Sequence, residues 1–100
     1  MTPRASRRPR FKFRLYVAGD TQNSLQAVSN LTALCRAHLA GSHEIEIVDV
    51  FKQPIRALED RIMMTPTLVR LAPNPVTMIV GTLGQLDTVL HALGIEGTAA

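Results

Sequence analysis

Two strand-like runs, near residues 11–17 and 45–50, are separated by a stretch of helical period, and this spacing restricts the fold more than any other feature of the chain. In the first run Phe11, Phe13, Leu15 and Val17 alternate with Lys12, Arg14 and Tyr16. That is the pattern of a strand with one buried face, and Gly19-Asp20 closes it as a turn would. Between the runs, Val28, Leu31, Leu34, Cys35 and Leu39 recur at steps of three and four. Asn23 or Ser24 stands where an N-cap belongs, and Gly41 where a left-handed stop belongs. Ile45, Ile47, Val48 and Val50 then lie too far along the chain for a hairpin and at the right distance for a right-handed parallel βαβ unit.

The second half reads differently. Pro54 opens a short helix in which Ile55, Leu58 and Ile62 are expected to face inward, with Arg56, Glu59 and Asp60 outward. Thr67–Leu71 and Val76–Val80 are two β-rich runs split by Ala72-Pro73-Asn74-Pro75, where two prolines without N–H groups enforce a turn. Leu86, Val89, Leu90 and Leu93 make a last amphipathic helix that Gly94 ends. The predicted order is β-α-β-α-β-β-α, an α/β fold of thioredoxin-like arrangement.

One hundred residues with 46% apolar content suffice for one core. No run is long and apolar enough to span a membrane, so a cytoplasmic protein is expected. Arg4, Arg7, Arg8, Arg10, Lys12 and Arg14 supply six of the eleven positive charges. Residues 15–100 therefore carry five positives against eight negatives, net −3, and the basic character belongs to the N-terminal end. Residues 1–10 are expected to be a disordered basic arm, 11–94 the domain, and 95–100 a flexible tail. The alternation of Phe11 and Phe13 with Lys12 and Arg14 is read as a strand and not as a base-stacking platform, so no nucleic-acid partner is expected.

A thioredoxin-like redox site needs two cysteines at the start of the first helix, where the helix terminus populates a thiolate. Here Thr21-Gln22-Asn23-Ser24 puts hydroxyls at both sulfur positions, and neither Gln22 nor Asn23 can act as the base that would activate one. Cys35 is alone and falls on the apolar step of the helix, which fits a core thiol in a reducing compartment. His38, His43 and His91 lack the spacing of two ligands on one helix face. No catalytic residue, metal or cofactor is expected. Thr65-Pro66-Thr67 stands where this fold places a cis-proline before its third strand, and only an X-Pro bond adopts that geometry cheaply.

The chain resembles the KaiB family of clock proteins. The resemblance rests on Leu15-Tyr16-Val17-Ala18-Gly19, Asn23-Ser24, Ile47-Val48-Asp49-Val50, Lys52 with Pro54, Glu59-Asp60-x-Ile62, Thr65-Pro66-Thr67-Leu68, Pro75-Val76 and Gly81-x-Leu83, in order from residue 11 to about 93. It implies a non-catalytic regulatory protein that switches between a tetrameric resting fold and a thioredoxin-like fold, the second of which binds the ring ATPase KaiC. The KaiC-facing residues would be Lys52, Gln53, Pro54, Asp60 and Arg61. His43, Glu46 and the Thr77-Met78 pair depart from the family pattern and count against a KaiA-like partner and a true oscillator. The alternative is the same surface acting on a histidine kinase or a stress-signalling protein. Ala92 and Gly94 replace a Gly-x-Asp of family members that rest in the other fold, and both favour a terminal helix. A monomer resting in the thioredoxin-like fold is therefore expected, with the tetramer belonging to the alternative fold.

Overall fold

The computed structural model describes residues 10–95. The proposed arm up to residue 9 and tail from residue 96 lie outside the described residues. The elements follow the expected order: β1 (Phe11–Val17), α1 (Gln22–His38), β2 (His43–Asp49), α2 (Pro54–Glu59), β3 (Thr67–Ala72), β4 (Thr77–Val80) and α3 (Leu86–Leu93). They build one sheet of order β2-β1-β3-β4 in which β1 runs parallel to β2 and antiparallel to β3. This is the thioredoxin-like arrangement.

The two faces of the sheet are covered unequally. Phe11, Phe13, Leu15 and Val17 pack with Leu31, Leu34 and Cys35 of α1 and with Val89, Leu90 and Leu93 of α3. On the opposite face a smaller cluster joins Tyr16, Val48 and Val69 to Ala57 of α2. Tyr16 was expected on a polar face and is fully buried. Its strand is central and covered on both sides, so alternation identifies which residues share a face but not whether the second face is wet. Ile95, assigned by sequence to the tail, also packs in the larger core.

Two helix ends follow the Schellman pattern, in which a left-handed residue lets the last carbonyls find partners. Gly94, at φ +73°, ends α3, with the Gly94 and Ile95 N–H groups donating to His91 and Leu90 carbonyls. At α1 the start differs from expectation: the helix begins at Gln22 with Thr21 as its N-cap, ahead of Asn23 and Ser24. Ser24 is buried and accepts a hydrogen bond from the Ala18 N–H at 3.0 Å, while Thr21 Oγ1 donates to Ser24 Oγ at 2.8 Å. The two hydroxyls close the β1–α1 loop.

Arg70 is the buried charge that fastens α3 to the hairpin. Its Nη1 donates to the Leu93 carbonyl, at the helix end where a cation is favoured, and its Nη2 to the Pro75 carbonyl at 2.7 Å and to Thr77 Oγ1 at 3.2 Å. Arg70→Met removes these donors and strands the buried Leu93 carbonyl, while the Pro75 carbonyl keeps Thr77 Oγ1 at 3.1 Å, so the urea midpoint should fall by the equivalent of about 1–3 kcal/mol with no change in m-value.

Candidate functional site

The candidate surface is built where the C-terminal ends of β1 and β2 meet α2. Asp49, the last residue of β2, organises it. One carboxylate oxygen, Oδ1, accepts from the Gly19 N–H at 3.2 Å and from the Phe51 N–H at 2.9 Å, and its carbonyl accepts from Lys52 and Gln53. The β1–α1 and β2–α2 loops are thereby tied together. Gly19 sits at φ +57°, and a Cβ there would lie 3.5 Å from the Phe51 ring, so the glycine serves both the turn and the ring that covers it. Lys52 and Gln53 line a cleft of about 350 Å³ with Asp20, Leu25, Ile47 and Asp49.

α2 has six residues and departs from expectation in part, for Glu59 faces solvent and Ile62 packs inward as expected, but Ile55 and Leu58 do not pack inward. Ile55 and Leu58 are exposed, and the inward position is taken by Ala57. The cause lies beneath the helix. The Tyr16 hydroxyl donates to Asp60 Oδ2, Arg14 Nη1 reaches the same oxygen at 3.0 Å, and Arg14 Nε pairs with Glu46 at 2.9 Å. Arg56 clamps Glu46 from the helix side, at 2.7 and 3.0 Å, and reaches Gln53 Oε1 at 3.3 Å. Polar residues of α2 are thus drawn toward the sheet, and its large apolar residues turn to solvent. After Asp60 the chain passes through Arg61 at φ +58°. The Arg61 and Ile62 N–H groups return to the Leu58 and Ala57 carbonyls, closing a second Schellman end on a residue other than glycine.

These pairs move the titration of their members. The guanidinium of Arg56, aided by Arg14, holds the Glu46 carboxyl down to about 2. Burial, reinforced by Asp60, pushes the Tyr16 hydroxyl up to about 12. Burial also pushes the Cys35 thiol up to about 11, far from thiolate chemistry at neutral pH.

Beside α2, Phe51, Ala57, Ile62, Met63, Met64 and Thr65 line a shallow groove of about 290 Å³. The Thr65–Pro66 bond that follows it is cis. Phe51 is 72% exposed, Leu58 71% and Met63 89%, and Ile55 and Met64 are also exposed. Of the residues singled out by sequence, Lys52, Gln53, Pro54 and Arg61 lie exposed around this surface. Asp60 is turned inward to Tyr16 and Arg14. Sequence reasoning missed Phe51, Met63 and Met64, for which the only sign was large apolar residues just outside a short helix. Among the described residues no three His, Cys, Asp or Glu side chains are grouped to hold a metal ion, and no helix is long and apolar enough to cross a membrane.

Fold and site together define a thioredoxin-like domain with hydroxyls in place of the redox thiols and an apolar surface beside the proline loop. A family model described as the KaiB domain matches residues 14–95, and the chain belongs to the KaiB family. It is 40% identical over 86 residues to the circadian clock protein KaiB3 of Synechocystis sp., covering 86% of this chain and 84% of that protein. It is 39% identical over 95 residues to the circadian clock oscillator protein KaiB of a Synechococcus species, covering 95% of this chain and 83% of the relative. Among solved structures, the N-terminal domain of Synechococcus elongatus SasA matches 100% of this chain and 97% of its own at a TM-score of 0.69 and 20% identity. The Drosophila melanogaster thioredoxin Deadhead matches at 0.69 and 17%, covering 89% and 85% of the two chains. At those identities the structural matches speak for the fold alone.

Two outcomes test this local account. Folded Glu46 titrates near 2 and the unfolded side chain near its ordinary 4.5, so its pairs favour the fold above about pH 4.5 and their contribution is lost as pH falls toward 2. Urea unfolding of Glu46→Gln should therefore show a shallower acid loss than the parent, with a difference at pH 7 within about 1 kcal/mol for pairs this exposed. Arg61→Gly relieves the left-handed backbone and should raise stability by about 1 kcal/mol in the same assay.

Proposed function

We propose that this protein is a non-catalytic regulator of clock type that docks onto a KaiC-like ring ATPase through α2 and the segments on either side of it. The observation that carries the reading is the exposure of Phe51, Ile55, Leu58, Met63 and Met64 within residues 51–64. Large apolar side chains gathered on one exposed surface mark an interaction site, and a few buried anchors supply most of the affinity in such contacts. Lys52 and Arg61 place positive charge at the rim, which suits a partner with an apolar patch bordered by acids. In this reading Gln53 and Pro54 shape the entry to α2, and Asp60 acts from beneath by holding the helix. The resting state is taken to be the thioredoxin-like one. Ala92 within α3 and Gly94 at its left-handed end support this, because each favours the terminal helix.

Binding of purified KaiC-like ring ATPase, measured by interferometry at several salt concentrations, separates anchor from rim. Leu58→Asp should weaken binding more than about tenfold through a faster off-rate. The double reversal Lys52→Glu with Arg61→Glu should act chiefly on the on-rate and its salt dependence. Circular dichroism should be unchanged in both, since all three side chains are exposed. Normal binding by both folded variants would place the contact elsewhere.

A further inference from the structure

We infer that Met63 and Met64 form a reversible oxidation site, at which peroxide converts the two thioethers to sulfoxides and so weakens docking onto the ring ATPase. The inference rests on the docking reading above and adds a regulation to it. The chain has four methionines and one cysteine. Met1 lies outside the described residues, and Cys35 is fully buried in the larger core, where burial pushes its thiol up to about 11. Among the described residues, the sulfurs that an oxidant in water can reach are therefore thioethers. Met63 is 89% exposed, Met64 62% and Met78 46%. The first two are adjacent in the chain and line one groove with Phe51 and Ile62, whereas Met78 sits on the edge strand β4. Ala18, whose N–H donates to Ser24, lines the same groove. The most exposed sulfurs thus adjoin the corner that carries hydroxyls in place of redox thiols.

The chemistry needs an oxidant and no activated group on the protein. A thioether lone pair attacks one oxygen of hydrogen peroxide, the S–O bond forms as the O–O bond breaks, and the other oxygen takes up the remaining proton and leaves as water. Sulfur is oxidised by two electrons and the peroxide is reduced by two. A thioether has no proton to lose, so access decides which methionine reacts first. The consequence follows from where the two stand. Methionine suits a docking surface because it is flexible and apolar, and oxidation removes the second property. A sulfoxide buried against an apolar partner gives up the hydrogen bonds it makes in water. Neither Met63 nor Met64 belongs to a buried cluster, so the change falls on the docking surface and leaves the core alone. The relation is mutual: a docked partner covers the same sulfurs and slows their oxidation.

Peptide mass mapping of the full chain after hydrogen peroxide treatment, followed by interferometry against purified KaiC-like ring ATPase, tests the inference. Met63 and Met64 should each gain one oxygen ahead of Met78, with circular dichroism unchanged. The oxidised protein should bind at least about tenfold more weakly than the untreated one. Methionine sulfoxide reductases supplied with a thiol reductant should restore the affinity. In the preformed complex Met63 and Met64 should be protected and Met78 should not. Met78→Leu should lose affinity on treatment as the parent does. Met63→Leu combined with Met64→Leu should bind equally before and after treatment, whatever its starting affinity. If the untreated protein binds and conversion of both residues to sulfoxide leaves that binding unaltered, the switch is overturned and the docking reading stands. Failure of the untreated protein to bind overturns both. Oxidation of Met78 ahead of the pair, or an equal loss of affinity in the double leucine variant, overturns the site.

Discussion

The contact on which the candidate site depends is the one between the buried Tyr16 hydroxyl and Asp60. A tyrosine buried under a short helix must find an acceptor for its proton, and the acceptor here is the residue that ends α2. Arg14 reaches the same carboxylate and continues through Glu46 to Arg56, so the helix is gripped at its polar residues from below. A six-residue helix has no room for a polar grip on the sheet and a large apolar contact with it as well. Ala57 fills the small space that remains, and Ile55 and Leu58 are left on the outer side. The exposed apolar surface is therefore a consequence of the polar network.

This explains which parts were legible in the sequence. The βαβ start, the proline-enforced hairpin and the terminal helix were all written in periodicity and turn chemistry, and each forms within a residue or two of its expected bounds. Around α2 the inward placing of Ile55 and Leu58 and the outward placing of Asp60 were reversed, whereas Ile62 packs inward and Glu59 faces solvent as expected. Over six residues the spacing of Ile55 and Leu58 shows that they share a side, but that side is chosen by what lies underneath, and Tyr16 in an alternating strand looked like a polar outward residue. Arg70 was hidden for a related reason. A lone arginine in an apolar run gives no sign that backbone carbonyls at the end of α3 and in the hairpin turn will converge on it.

The site itself was half visible. Lys52, Gln53, Pro54 and Arg61 came from the family resemblance and stand on the exposed surface. Phe51 came from the structure, through the loop that Asp49 ties down over Gly19. Thr21 and Ser24, at the two positions where a redox relative would keep sulfur, close a loop by hydrogen bonding to each other and to Ala18. The thioredoxin-like framework is retained while the reactive corner has become structural, and the large apolar side chains gather on the neighbouring α2 side.

Amide hydrogen exchange of this chain, alone and in the presence of a KaiC-like ring ATPase, tests the central claim most directly. The account predicts slowed exchange across residues 50–64, at the β2–α2 loop, α2 and the methionine segment, with little change in α1 or at the free edge of β2. Protection confined to α1 or to that edge, with residues 50–64 exchanging as in the free protein, would contradict it.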